Sequence, residues 1–165
     1  MARPDPALLD PARYPFSHTV TTRFADVDPN QHLNNVALAA MMEDARVRFN
    51  MAAGLKVKIG ERRAMVASVG MEYLAQGHFP DPVEAHCGIE QVGRTSWSIA
   101  QLLVQHGAVI AFARSVIVAI ADDRPAPVPD DTRTQLGQWV LKPKDSLQWH
   151  GTVFAWLARY LKPGR

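Results

Sequence analysis

Residues 23–48 read RFADVDPNQHLNNVALAAMMEDARVR, and they constrain the chain more than any other stretch. In the second half Leu38, Met42, Ala45 and Phe49 fall at steps of four, three and four, with Met41 beside them. That period predicts a helix with one face against a core. Asn34 or Asn35 would cap it, because a short amide side chain accepts from the free N–H groups of a first turn. Gly54 would stop it. Glu43, Asp44, Arg46 and Arg48 are expected on the remaining surface. The first half is different in kind. It crowds Asp26, Asp28, Asn30, His32, Asn34 and Asn35, groups that hold carbonyls or move protons, directly ahead of an apolar helix.

The segments around this block read mostly as strand. Residues 1–17 carry several prolines and are expected to form an extended arm, and residues 18–24 (HTVTTRF), rich in β-branched side chains, a short strand. After the helix come four longer candidates at 64–75, 83–92, 95–106 and 108–120, separated by QGHFPDP, Gly93-Arg94 and Gly107. Short glycine turns of this sort predict antiparallel neighbours. One long helix against about five strands is an α+β layer architecture. Residues 121–132 (ADDRPAPVPDDT) read as a loop. In the tail Val153, Trp156, Leu157, Tyr160 and Leu161 share a face at helical spacing, a stripe that serves core or interface packing. The chain reads as a single domain over 1–165, with an extension, helical by its pattern, from about 140 to 165.

Composition removes several classes of function. A hydrophobic fraction of 47% against 21% charged excludes disorder as the dominant state. The net charge of +2 comes without an arginine-rich, aromatic-studded stripe, so nucleic acid is not an expected partner. Cys87 is the only cysteine, which precludes an intrachain disulfide and a cysteine-rich zinc site. His18, His78, His86, His106 and His150 lack ligand spacing, and no metal is expected. Neither a signal sequence nor a membrane-spanning run is evident, and the reading is a cytoplasmic protein without a membrane partner. There is no Walker loop and no GxGxxG. Ser68, Ser96 and Ser115 have no nucleophile-elbow context.

The order of strand, DxDxxxHxNN loop, long helix and antiparallel meander resembles the hotdog fold. More narrowly, it resembles the acyl-CoA thioesterases of the 4-hydroxybenzoyl-CoA thioesterase type. The block from Asp26 to Asn35 is also similar to the D-x-D-x-N-Q-H-V-N-N block of plant acyl-ACP thioesterases. Val66-Ala67-Ser68, Gly93-Arg94-Thr95-Ser96, Ala113-Arg114 and Pro127-Val128-Pro129 agree in order, so the resemblance spans roughly residues 18–135. Leu38 stands where many relatives carry an aromatic residue.

The resemblance implies a hydrolase that cleaves acyl-CoA thioesters, with Asp28 as the catalytic carboxylate. Asp28 would attack the carbonyl or deprotonate a water, and the sequence does not choose between these. Asn30 and His32 would orient water, carboxylate or carbonyl. The helix N-terminus near Asn35 would polarise the thioester oxygen. Leu38 and Met42 would line an apolar acyl pocket, and Arg94 would meet CoA phosphates. CoA enters as part of the substrate and no separate cofactor is implied. A homodimer or homotetramer is implied, with each pocket lined by both protomers. For Asp26 the reading is a scaffold role, and for Glu72 a solvent-facing strand position. Two alternatives belong to other classes. A hotdog enoyl-CoA hydratase-like lyase uses D-x-N-P-x-H, with its aspartate and histidine five apart, whereas Asp28 and His32 are four apart. A non-catalytic acyl-CoA binding module would keep the pocket and dispense with Asp28.

Overall fold

The computed structural model describes residues 4–55, 58–59 and 62–142, with the side chains at 58, 59 and 62 outside that description. The tail stripe from Val153 to Leu161 and the Lys56 side chain therefore lie outside the described residues. The N-terminal arm is folded rather than extended. It makes two short 3-10 turns, Pro6–Leu9 and Pro11–Arg13. Asp5 and Asp10 each accept the amide two residues on, and proline at each first turn position fixes φ where no N–H is needed.

Strand β1 (Phe16–Val20) starts and ends earlier than the β-branched run predicts. The chain leaves the sheet because Thr22 turns inward to donate to the Asp81 carbonyl at 3.1 Å, and Phe24–Asp26 then closes a further 3-10 turn. Helix α1 (Asn35–Ala52) follows, with Asn34 as its N-cap and Gly54 at φ +66° just beyond its end. Leu38, Met41, Met42, Ala45 and Phe49 are all buried, as the period predicts.

Strands β2 (Lys58–Ile59), β3 (Arg62–Tyr73), β4 (Val83–Val92), β5 (Ser96–Gln105), β6 (Ala108–Ala121) and β7 (Arg124–Pro125) complete the sheet. Its order is β1-β4-β5-β6-β3-β2, with β7 on β6, and every strand pair is antiparallel. The architecture is the α+β hotdog arrangement, one long helix against a curved antiparallel sheet. The expected simple meander is corrected at one point. β3 and β4 are consecutive in sequence but do not pair, because residues 74–82 cross the sheet end and β3 docks on the far side of β6. The β5–β6 connection, in contrast, is a two-residue turn with His106 and Gly107 both at positive φ, the geometry that matches strand twist. Residues 121–132 are not wholly loop either, since they hold β7 and the start of α2 (Asp130–Gln138).

Helix α1 lies over β1, β4 and β5 and shares a core with Cys87, Ile89, Ile99, Leu103 and Ile110. Arg46, expected at the surface, is 6% exposed. It stands one turn after Met42, on the edge of the apolar stripe, and its Nη1 donates to Ser115 Oγ at 3.2 Å. Ser115 donates on to Gln101 Oε1 at 3.3 Å, and Gln101 Nε2 donates to the Met42 carbonyl at 2.7 Å. A buried polar chain thus ties the middle of the helix to the two central strands. On the other sheet face Tyr14, Leu102, Phe112 and Leu141 form a second cluster, closed over by Leu8 and Leu9 of the arm.

Candidate active site

The polar block is a tight hairpin set on the start of α1. Asp28 N–H donates to the His32 carbonyl at 2.8 Å, Gln31 N–H donates to the Asp28 carbonyl at 3.0 Å, and Val27 bridges Leu33. Gln31 takes φ +66° to close the turn. Asp28 Oδ1 accepts from the main-chain amides of Asn30 at 2.8 Å and His32 at 3.1 Å. These donors, His32 foremost, hold the Asp28 carboxyl below the usual carboxylate range, so it is ionised at neutral pH.

Asp26 has a different task. Its carboxylate is buried against the Arg23 guanidinium at 2.7 Å and accepts the Arg23 amide at 2.8 Å. The guanidinium lowers its proton affinity. The Asp26 carbonyl receives both the amide and the side-chain Nδ2 of Asn34, each at 2.8 Å. Asn34 Oδ1 in turn accepts the Ala37 amide at 2.8 Å. Of the amides that open α1, Asn34's and Ala37's are thereby used, which leaves those of Asn35 and Val36 ahead of the first intrahelical bond.

A cavity of about 600 Å³ is lined by Arg23, Ala25, Asp26, Asp28, Asn34, Asn35, Val36, Ala37 and Ala40. Asp28, an ionised carboxylate, and the first residues of a helix, its positive end, therefore line one space. That pairing can activate a nucleophile on one side of a carbonyl group and stabilise negative charge on its oxygen.

The other expected site residues are placed as follows. Asn30 is exposed and contributes its amide to Asp28. The His32 ring turns onto the ring of His78, edge to face at 5.2 Å. Leu38 and Met42 are 3% and 2% exposed, inside the core beneath the helix and not among the cavity walls. Arg94 is exposed in the β4–β5 turn, at the end of that hairpin away from the loop that meets the Asp28 hairpin. Cys87 is fully buried, and burial pushes its thiol up to about 12, so it is unsuited as a nucleophile. Among the described residues no group of three or more His, Cys, Asp or Glu is arranged to hold a metal ion. No helix among them is long and apolar enough to cross a membrane.

Two contributors were not read from the sequence. The Gly77 carbonyl accepts the Leu33 amide at 2.8 Å, and a Cβ at Gly77 would stand 2.9 Å from Leu33 Cδ1 and Ile110 Cδ1. Gln105, 4% exposed at the end of β5, accepts the His78 amide and donates to the carbonyls of His78 and Asp81. A glycine inside QGHFPDP reads as an ordinary turn residue. A glutamine at a strand end carries no periodic signal.

A sequence model described as the thioesterase-like superfamily matches residues 22–136, a span that contains the hairpin, α1 and strands β3 to β6. The chain belongs to this superfamily. Among solved structures similar to it, a predicted thioesterase from Bacillus stearothermophilus is 30% identical, with a TM-score of 0.69 over 78% of this chain and 98% of that one. A thioesterase from Thermus thermophilus, solved with coenzyme A and Zn, is 28% identical, with a TM-score of 0.68 over 77% and 95%. A Pseudomonas aeruginosa protein is 26% identical, with a TM-score of 0.68 over 79% and 94%. No curated protein matches the sequence.

Proposed function

We propose that the protein hydrolyses acyl-CoA thioesters to the free acid and CoA, with Asp28 as the carboxylate that drives the reaction. The observation that carries this reading is that Asp28 lines the same cavity as Asn35 and Val36, the first residues of α1. Coenzyme A in the Thermus thermophilus relative supports CoA as the carrier. In the proposed reaction the thioester oxygen sits at the amides of Asn35 and Val36, where the developing oxyanion meets two donors and the helix dipole. Asp28 either attacks the carbonyl carbon to give a mixed anhydride that water then cleaves, or takes a proton from the attacking water. In both routes the C–S bond breaks; in the first the thiolate takes a proton from solvent, and in the second it takes the proton that Asp28 received from the water. A carboxylate held ionised by His32 and Asn30 amides fits either route.

The acyl group next to the carbonyl is assigned to Val36, Ala37 and Ala40, because these line the cavity while Leu38 and Met42 face the core. The working unit is proposed to be a homodimer joined through β3. Among the described residues that twelve-residue strand pairs with β6 on one side and on the other with the short β2, and it exposes Met65, Val66, Val69 and Tyr73.

The test is a panel of acyl-CoAs with release of free thiol as the readout, run on the native protein and on Asp28→Asn. Thiol release that falls by on the order of a thousandfold in the variant supports the reading. Release that survives Asp28→Asn at the native rate overturns it. Single-turnover hydrolysis in H2 18O then tests for direct attack, since label in the protein requires an anhydride that water opens at the Asp28 carbonyl.

A further inference from the structure

The Asp28 hairpin does not stand alone; it leans on residues 77–81, and that loop is held from beneath by two buried side chains, chiefly Gln105. Gln105 accepts the His78 amide at 2.8 Å and donates to the carbonyls of His78 at 2.8 Å and Asp81 at 2.9 Å. Thr22, also buried, adds a donor to the Asp81 carbonyl at 3.1 Å. The loop reaches the hairpin in two ways. The Gly77 carbonyl takes the Leu33 amide, and the His78 ring meets the His32 ring edge to face. His32 is also the residue whose main chain holds Asp28 from both sides, its amide on Oδ1 and its carbonyl on the Asp28 amide.

We propose that Gln105 and His78 are positioning residues for Asp28: Gln105 fixes the 77–81 loop, and the loop fixes His32 and with it the Asp28 carboxylate. The proposal rests on the reading of Asp28 as the reacting carboxylate. It needs no contact between Gln105 or His78 and the substrate. An apolar replacement of Gln105 leaves the His78 amide and carbonyl without their partner and the Asp81 carbonyl with Thr22 alone, and the loop must then shift or take up water. A displacement of about 1 Å at the hairpin is enough to cost up to about a hundredfold in rate. His78 is exposed, so its removal acts through the ring contact and not through the core.

The experiment uses the full chain with the most active acyl-CoA of the panel. Gln105→Met and His78→Ala are each expected to lower kcat about tenfold or more while KM stays within about twofold. His78→Phe, which keeps an edge-to-face ring contact, restores kcat towards the native value. Amide exchange at Leu33 gives a readout independent of turnover and is faster in Gln105→Met. Thr22→Val gives a second, milder loosening of the same loop should Gln105→Met not fold. Native kcat in His78→Ala, or a loss that His78→Phe shares in full, overturns the role of the ring. Unchanged kcat and Leu33 exchange in Gln105→Met, or in Thr22→Val when that variant stands in, overturn the role of Gln105. The reading of Asp28 itself fails on a different result, native activity in Asp28→Asn.

Discussion

Asn34 donates to the carbonyl of Asp26 twice, from its main-chain amide and from its side-chain Nδ2, both at 2.8 Å. Its remaining side-chain atom, Oδ1, caps α1 through Ala37. One residue therefore locks the start of the helix to the hairpin that carries Asp28. Asn34→Ala is expected to lower stability by about 1–2 kcal/mol through the lost cap alone, with a further loss from the hairpin contact. Asn34→Asp keeps the acceptor for Ala37 and loses the Nδ2 donor. In urea unfolding it should fall between the native protein and Asn34→Ala.

Acid sensitivity follows from Asp26 and Asp28. Both carboxyls have folded values depressed below the ordinary 3.8, Asp26 chiefly by the Arg23 guanidinium and Asp28 chiefly by the His32 amide. A depressed folded value means that the unfolded chain binds the proton more tightly. Their stabilising contribution is thus complete above the ordinary carboxylate value and is lost as pH falls below it, through the folded values. Asp26→Asn should flatten this acid limb in unfolding measured between about pH 5 and pH 2. An acid limb as steep as the native one would contradict the assignment.

Phe49 is fully buried between Phe16 and Trp139, with ring centroids 5.7 Å from each. Phe49→Ala should cost about 3–5 kcal/mol, the penalty of an aromatic cavity in a core, read from the denaturation midpoint. Phe49→Leu should recover much of that.

Cys87 has no exposed surface and a thiol held protonated by burial. A disulfide reagent should leave it untouched in the native protein and titrate one thiol after denaturation. The same property keeps a thiol-release assay free of background. Rapid native reaction would show that the β4–β5 core opens.

The exposed edge of β3 predicts a solution assembly. Val69, 52% exposed on that strand, should tolerate lysine in the folded chain, yet Val69→Lys should shift sedimentation from dimer towards monomer. A native protein that sediments as a monomer at all concentrations would contradict the dimer.

Much of the fold was legible because α1 repeats one simple pattern and the long strands are apolar runs bounded by turn residues. The stripe Leu38, Met42, Ala45 and Phe49 is buried as its period requires, and β4 has the limits its residues suggest. Sheet order was less legible. Glycine turns announce a hairpin at Gly107 but say nothing of where residues 74–82 carry the chain, and β3 pairs with β6. Arg46 was misplaced because charge in a helix is read as surface, whereas Ser115 and Gln101 give this guanidinium a buried polar route. In the hairpin, a cap at Asn34 or Asn35 was readable from residue type, of which the structure uses Asn34, while the scaffold role of Asp26 was read beside the resemblance that singled out Asp28. The support from Gln105 and Gly77 was not, since both bonds join segments far apart in sequence.

The crowding at Gly77 has a consequence for engineering. Gly77 packs so closely on the Leu33 and Ile110 methyls that a β-carbon would displace them, and its carbonyl holds the Leu33 amide, so residues 27–33 and 77–81 fit together as one part built from two pieces of chain. Loop grafting that replaces the Asp28 hairpin alone would seat a foreign surface on a native bed. A transplant that moves both pieces together, with Gln105 beneath them, carries its own foundation.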